Sequence, residues 1–82
     1  MFLVKICHIS DRIVYEGDAE RVLLPGVMGC LEIVEEHVAI VSLLKAGEII
    51  LDDARSELGQ KEFSIQQGLM RYDGECLYVI VE

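Results

Sequence analysis

The chain has 82 residues, enough for one domain and no second core. Fifteen acidic residues against seven Lys plus Arg leave a net charge of −8, which argues against nucleic-acid backbones and anionic membrane surfaces as partners. Yet 52% of the residues are hydrophobic and the mean hydropathy is +0.39, more apolar side chain than so small a core buries, so some of it stays on the surface until a partner covers it.

Phe2, Val4 and Ile6 alternate with Leu3, Lys5 and Cys7, and this period of two predicts a first strand. Ser10-Asp11 closes it. A second strand runs to Gly17-Asp18, which reads as another turn, and Val22 and Leu24 carry a third. Pro25-Gly26 and Gly29 mark a tight loop, and Glu32, Glu35 and Glu36 read as its solvated continuation. Lys45-Ala46-Gly47 precedes a strand around Ile49 and Leu51. Leu51 to Gly59 holds good helix formers, but an extended, polar hairpin tip is the preferred reading. Phe63 and Ile65 mark the next strand, Gly68 interrupts another, and Asp73-Gly74 is a two-residue hairpin signal. Leu77 to Val81 is apolar in both registers, which predicts a central strand or a strand with one side facing a partner. About nine to ten short strands, spaced roughly 8–10 residues apart, predict an all-β, two-sheet sandwich or flattened barrel spanning residues 1–82.

Chemistry-bearing residues are sparse. Cys7, Cys30 and Cys76 are odd in number and form no C-x-x-C pair, so they read as buried, reduced thiols. Cys7 and His8 are neighbours on a strand and point to opposite faces, which prevents a nucleophile–base dyad. No spacing among the histidines, cysteines and acids matches a metal site. The Gly26–Gly29 segment lacks the Lys-Ser/Thr ending of a phosphate-binding loop. No secretory signal is visible, and the longest apolar runs fall far short of the ~20 residues of a spanning helix. The residues by themselves describe a small, acidic, all-β, non-catalytic domain with surplus apolar surface, and the readings that need no family likeness are a β-sandwich adaptor or binding module and a small enzyme with a Cys or His nucleophile.

The order of these features resembles the N-terminal β-sandwich domain of the epsilon subunit of F-type ATP synthases, the counterpart of the mitochondrial delta subunit. The resemblance covers nearly the whole chain. It rests on Leu3-Val4-Lys5-Ile6, Val14 to Gly17, Leu24 to Gly26, Gly29 with Ile33, His37, Leu44 to Gly47, Phe63, Gly68 and Val79-Ile80-Val81. Departures fall at Glu32, at Glu35-Glu36 where the family has Pro-Gly, and at Gln66-Gln67. Leu51-Asp52-Asp53-Ala54-Arg55 looks like the start of an ATP-binding motif of the family's helical domain, but it lies inside the sandwich and reads as coincidence.

The resemblance implies a non-catalytic central-stalk subunit without cofactor or metal, coupling ion translocation to ATP synthesis. It implies that one surface grips the gamma subunit, with His37 at that contact. A second surface would rest on the c-ring through Gly26, Val27, Met28, Gly29, Cys30, Leu31 and Glu32. The implied location is peripheral, on the cytoplasmic face of the bacterial inner membrane, with no direct membrane insertion and no nucleic-acid partner. Typical members carry a C-terminal helical hairpin that inhibits ATP hydrolysis. These 82 residues stop where the last strand should end, so the expectation for them is a sandwich without that hairpin, whether the natural protein lacks it or carries it further along, and the brake is absent only in the first case.

Overall fold

The structure is a computed structural model, and it describes residues 1–53 and 59–82. Eight strands form among them: β1 (Phe2–His8), β2 (Ile13–Gly26), β3 (Gly29–Val34), β4 (Ile40–Leu44), β5 (Gly47–Asp53), β6 (Gln60–Ile65), β7 (Gly68–Tyr72) and β8 (Cys76–Val81). No helix among the described residues is long and apolar enough to cross a membrane.

The strand order is β1-β8-β7-β4-β2-β5-β6, with β3 paired to β2 and β1 also paired to β2. The path β1-β8-β7-β4-β2 therefore returns to β1. The 14-residue β2 makes this possible. Its first half pairs with β1, its second half with β3 and β5, and Gly26 at its end meets Leu44 of β4. One long strand is thus shared by the two layers of a flattened barrel.

This corrects the sequence reading at Gly17-Asp18, where a turn between two strands was expected. Gly17 pairs with Val4 and Asp18 with Leu3 inside the β1–β2 ladder. The change of direction is taken up instead by a register shift between Ala19 and Arg21. An irregularity of that kind re-aims a strand without ending it. The expected hairpin tip is seen only at its ends: Leu51 to Asp53 belong to β5, and residues 54–58 lie outside the described residues.

The core is one cluster drawn from all eight strands. Phe2, Val4 and Ile6 of β1 and Leu77, Val79 and Val81 of β8 point inward, as the alternation predicts. Val22, Leu24, Ile33, Ile49, Leu51 and Met70 close it from the other strands, each at 1% exposure or less. Burial of each such side chain contributes about 1.5–3 kcal/mol before the entropy of ordering the chain is subtracted. No buried polar side-chain atom among the described residues lacks a hydrogen-bond partner.

Candidate functional site

Residues 26–32 are a strand-and-hairpin unit rather than a loop. Gly26 pairs with Gly29, Pro25 with Cys30, Leu24 with Leu31 and Leu23 with Glu32. Only Val27 and Met28 lie outside the two strands, so Cys30, Leu31 and Glu32 belong to β3. Glycine is required at Gly26, where a Cβ would sit 2.6 Å from the Gly29 carbonyl oxygen. Gly29 supplies the turn's positive φ of 134°. Met28 is 96% exposed at the tip, the most solvent-facing large apolar side chain among the described residues. Two backbone bonds fix the hairpin to β4: Val27 N–H donates to the Leu43 carbonyl (3.0 Å), and Lys45 N–H donates to Pro25 (2.8 Å).

Two expectations for this segment are corrected. Cys30 is exposed, because it stands near the end of β3 on the side away from the core; Cys7 and Cys76 are half-buried. Glu32 is not a freely solvated loop acid. It lies 3.5 Å from Arg21 Nη1, whose Nε donates to Asp52 at 3.0 Å.

His37 lies at the opposite end of β4. Its backbone N–H donates to Val34, and its Nδ1 donates to the Val38 carbonyl at 2.6 Å. Its ring stands edge-on to Tyr72, the last residue of β7. The turn before it places Glu36 at φ 68°. The hairpin tip and His37 are therefore two separate contacts, divided by the length of β4.

Between them lies a surface that the sequence hinted at without locating. Leu43 pairs with Leu69, Leu69 with Ile80, Ile80 with Cys7, and Cys7 with Ile13. One row of apolar side chains thus crosses five strands, about 19 Å at the spacing of a sheet. Leu43 is 60% exposed, Leu69 42%, Ile80 50% and Ile13 54%. A second row, Val41–Arg71–Tyr78–Lys5, runs beside it. The doubly apolar register of Leu77 to Val81 was the signal for this face. The β8 strand is central, yet its outward side chains Tyr78 and Ile80 meet solvent.

The described residues assemble no catalytic group. His8 Nδ1 accepts from the Ser10 hydroxyl (2.8 Å) and Ser10 N–H (3.1 Å), while Cys7 faces outward beside Ile80. No group of three or more His, Cys, Asp or Glu among the described residues is placed to hold a metal. Leu51, in the segment that looks like an ATP-binding motif, is fully buried and Asp52 is engaged by Arg21, while Ala54 and Arg55 lie outside the described residues.

A barrel closed through one shared strand, with no buried polar side-chain atom unsatisfied among the described residues and one outer face left apolar, defines a β-sandwich domain. Residues 4–82 match the family model of the ATP synthase delta/epsilon chain, β-sandwich domain. The chain belongs to that family. It is 30% identical over 72 residues to the ATP synthase epsilon chain of Sulfurimonas denitrificans, covering 88% of this chain and 54% of that one. It is 29% identical over 70 residues to the epsilon chain of Campylobacter jejuni, covering 85% and 53%. The chain spans about half the length of these curated relatives. The fold recurs in a chain of the Euglena gracilis mitochondrial ATP synthase, with TM-score 0.85, 12% identity and coverage of 98% and 49%. It also recurs in the central stalk and c-ring structure of the Tetrahymena thermophila enzyme, with TM-score 0.78, 13% identity and coverage of 98% and 62%.

Proposed function

We propose that this chain works as the epsilon-type sandwich of a rotary ATP synthase, a non-catalytic block of the central stalk. The observation that carries this reading is the Leu43–Leu69–Ile80–Cys7–Ile13 row. A sheet face with exposed apolar side chains across five strands is the signature of an interface. It receives the gamma subunit, with His37 at the rim where β4 begins. The β2–β3 hairpin, residues Gly26 to Glu32, reaches the c-ring from the other end of β4, with Val27 and Met28 foremost. A sandwich braced by β2 in both layers transmits torque between two such contacts without chemistry of its own. The complex so formed sits peripherally on the cytoplasmic face of the bacterial inner membrane and couples ion flow to ATP synthesis.

Reconstitution tests this. The chain is added to a catalytic complex of alpha, beta and gamma subunits from the same organism, prepared without it. Co-elution is expected, and Leu69→Glu or Ile80→Glu abolishes it by placing a charge in the apolar row. Met28→Glu leaves that binding intact and weakens reattachment to the membrane sector. Unchanged co-elution of both β7 and β8 variants would refute the assignment of the gamma face.

A further inference from the structure

The apolar face carries a charge pattern at odds with the rest of the chain. Fifteen of the 82 residues are acidic, yet the outward register of β4, β7, β8 and β1 contains none. It contains two cations instead. Lys5 is partnered across the ladder by Glu16, with Nζ 3.8 Å from the carboxylate. Arg71 has no carboxylate within ion-pair distance among the described residues. The nearest acid along the chain, Asp73, accepts the N–H groups of Glu75 and Cys76 on its Oδ1 at 2.9 and 2.8 Å and acts on Arg71 only beyond ion-pair distance.

Arg71 is held in place nonetheless. Its guanidinium carbon lies 5.1 Å from the centre of the Tyr78 ring, its direct cross-strand partner. A cation–π contact holds a guanidinium through its charge and takes up none of its carboxylate-matching N–H fork in an ion pair. Beside the pair is an open hollow of about 470 Å³, lined by Lys5, Cys7, Leu69, Arg71, Tyr78 and Ile80. The hollow has room for a side chain from outside. Arg and Tyr are the residue types that dominate interface energetics when they sit among apolar contacts that exclude water.

We propose that Arg71, held over the Tyr78 ring, is the specificity-determining anchor of this face and takes a carboxylate of the docked gamma chain. The inference rests on the reading of the face as the gamma interface. It adds the chemistry of what must lie opposite: an apolar surface bearing one Asp or Glu. A partner with a neutral or basic group there leaves a desolvated guanidinium unpaired, which is how a buried charge rejects a wrong partner.

The test measures binding of the full chain to the alpha–beta–gamma complex at several salt concentrations. Arg71→Ala weakens binding roughly 30-fold or more, the usual consequence of removing one partner of a desolvated charge pair. Arg71→Lys recovers only part, because the ammonium lacks the fork. Arg71→Glu abolishes binding, and replacing the facing Asp or Glu of gamma by Arg restores it. Arg71 is exposed, so these variants melt with the parent chain. Wild-type binding by Arg71→Ala and Arg71→Glu, alongside failure of Ile80→Glu, overturns the carboxylate while leaving the face as the gamma interface. Wild-type binding by all three overturns both.

Discussion

The His37 ring stands edge-on to Tyr72, with centroids 6.2 Å apart and planes at 74°, and Tyr72 in turn stands edge-on to Phe2 at 5.5 Å. A residue proposed to meet gamma is therefore coupled through one ring to the core, since Tyr72 is 1% exposed and Phe2 4%. The Tyr72 hydroxyl donates to the Gly74 carbonyl at 3.0 Å, and burial pushes its phenol above the ordinary tyrosine range. His37 contributes one edge contact on the outside of this stack. Such contacts are worth about 0.5–1.5 kcal/mol at most. His37→Ala is thus expected to lower stability by no more than about 1.5 kcal/mol and to weaken gamma binding about tenfold, ~1.4 kcal/mol. Thermal melts and the binding assay read the two effects separately.

Opposite registers of β8 give the sharpest contrast. Leu77 is fully buried and Ile80, three residues on, is 50% exposed. Leu77→Ala should cost about 2–5 kcal/mol, close to the whole stability of so small a domain. Ile80→Ala should cost less than about 1 kcal/mol in urea unfolding. It should nonetheless reduce gamma binding, whereas a merely solvated side chain would not.

Gly26→Ala tests the hairpin. The added methyl would lie 2.6 Å from the Gly29 carbonyl oxygen and 3.1 Å from Leu31, so backbone must move. A loss of about 1–3 kcal/mol is expected, together with weaker reattachment to the membrane sector because the Val27–Met28 tip is displaced. A variant as stable as the parent would show that the two strands do not approach this closely.

These predictions also show what the sequence carries and what it hides. The alternation in Phe2 to Cys7 and in Leu77 to Val81 exposes the core registers of β1 and β8 directly, because a period of two is a local property. Gly17-Asp18 misleads for a local reason as well: the pair has turn composition, but here its backbone is held in a ladder by Val4 and Leu3. Residues 30–32 were hidden by dense glycines on one side and acids on the other, although a two-residue turn leaves Cys30 already in register with Pro25. The apolar row has no local signature at all. Its members come from positions 43, 69, 80, 7 and 13, and only the pairing of β4, β7, β8, β1 and β2 lines them up.

The turn joining β7 to β8 has a built-in dependence on acidity. Backbone N–H groups of Cys76 and then Glu75 hold the Asp73 carboxyl below its ordinary value of 3.8. A depressed carboxyl contributes stability that is present above its unfolded pKa and lost as pH falls through the folded one. Asp73→Ala should therefore melt below the parent at neutral pH, and the gap should close as pH drops beneath 3.8. Asp73→Asn keeps an acceptor for the same N–H groups but does not ionise, so its melting temperature should vary less with acidity over that window. Equal slopes for parent and Asn variant would remove Asp73 from the account.

Thiol labelling separates the three cysteines by place. Cys30 stands exposed on β3 near the hairpin tip. Cys7 and Cys76 are half-buried on the apolar face, where Cys7 lies between Ile80 and Ile13 and Cys76 pairs with Leu3. Half-burial among apolar neighbours restricts the access of a polar reagent to these two thiols. Native chain treated with a chromogenic disulfide should show one fast thiol and two slow ones, and Cys30→Ser should remove the fast phase alone. On the proposed orientation, adding the alpha–beta–gamma complex should slow Cys7 and Cys76 further, while leaving Cys30 fast until the membrane sector is present. Protection of Cys30 by the catalytic complex, with Cys7 left unaffected, would exchange the two surfaces and overturn the proposed orientation of the sandwich in the stalk.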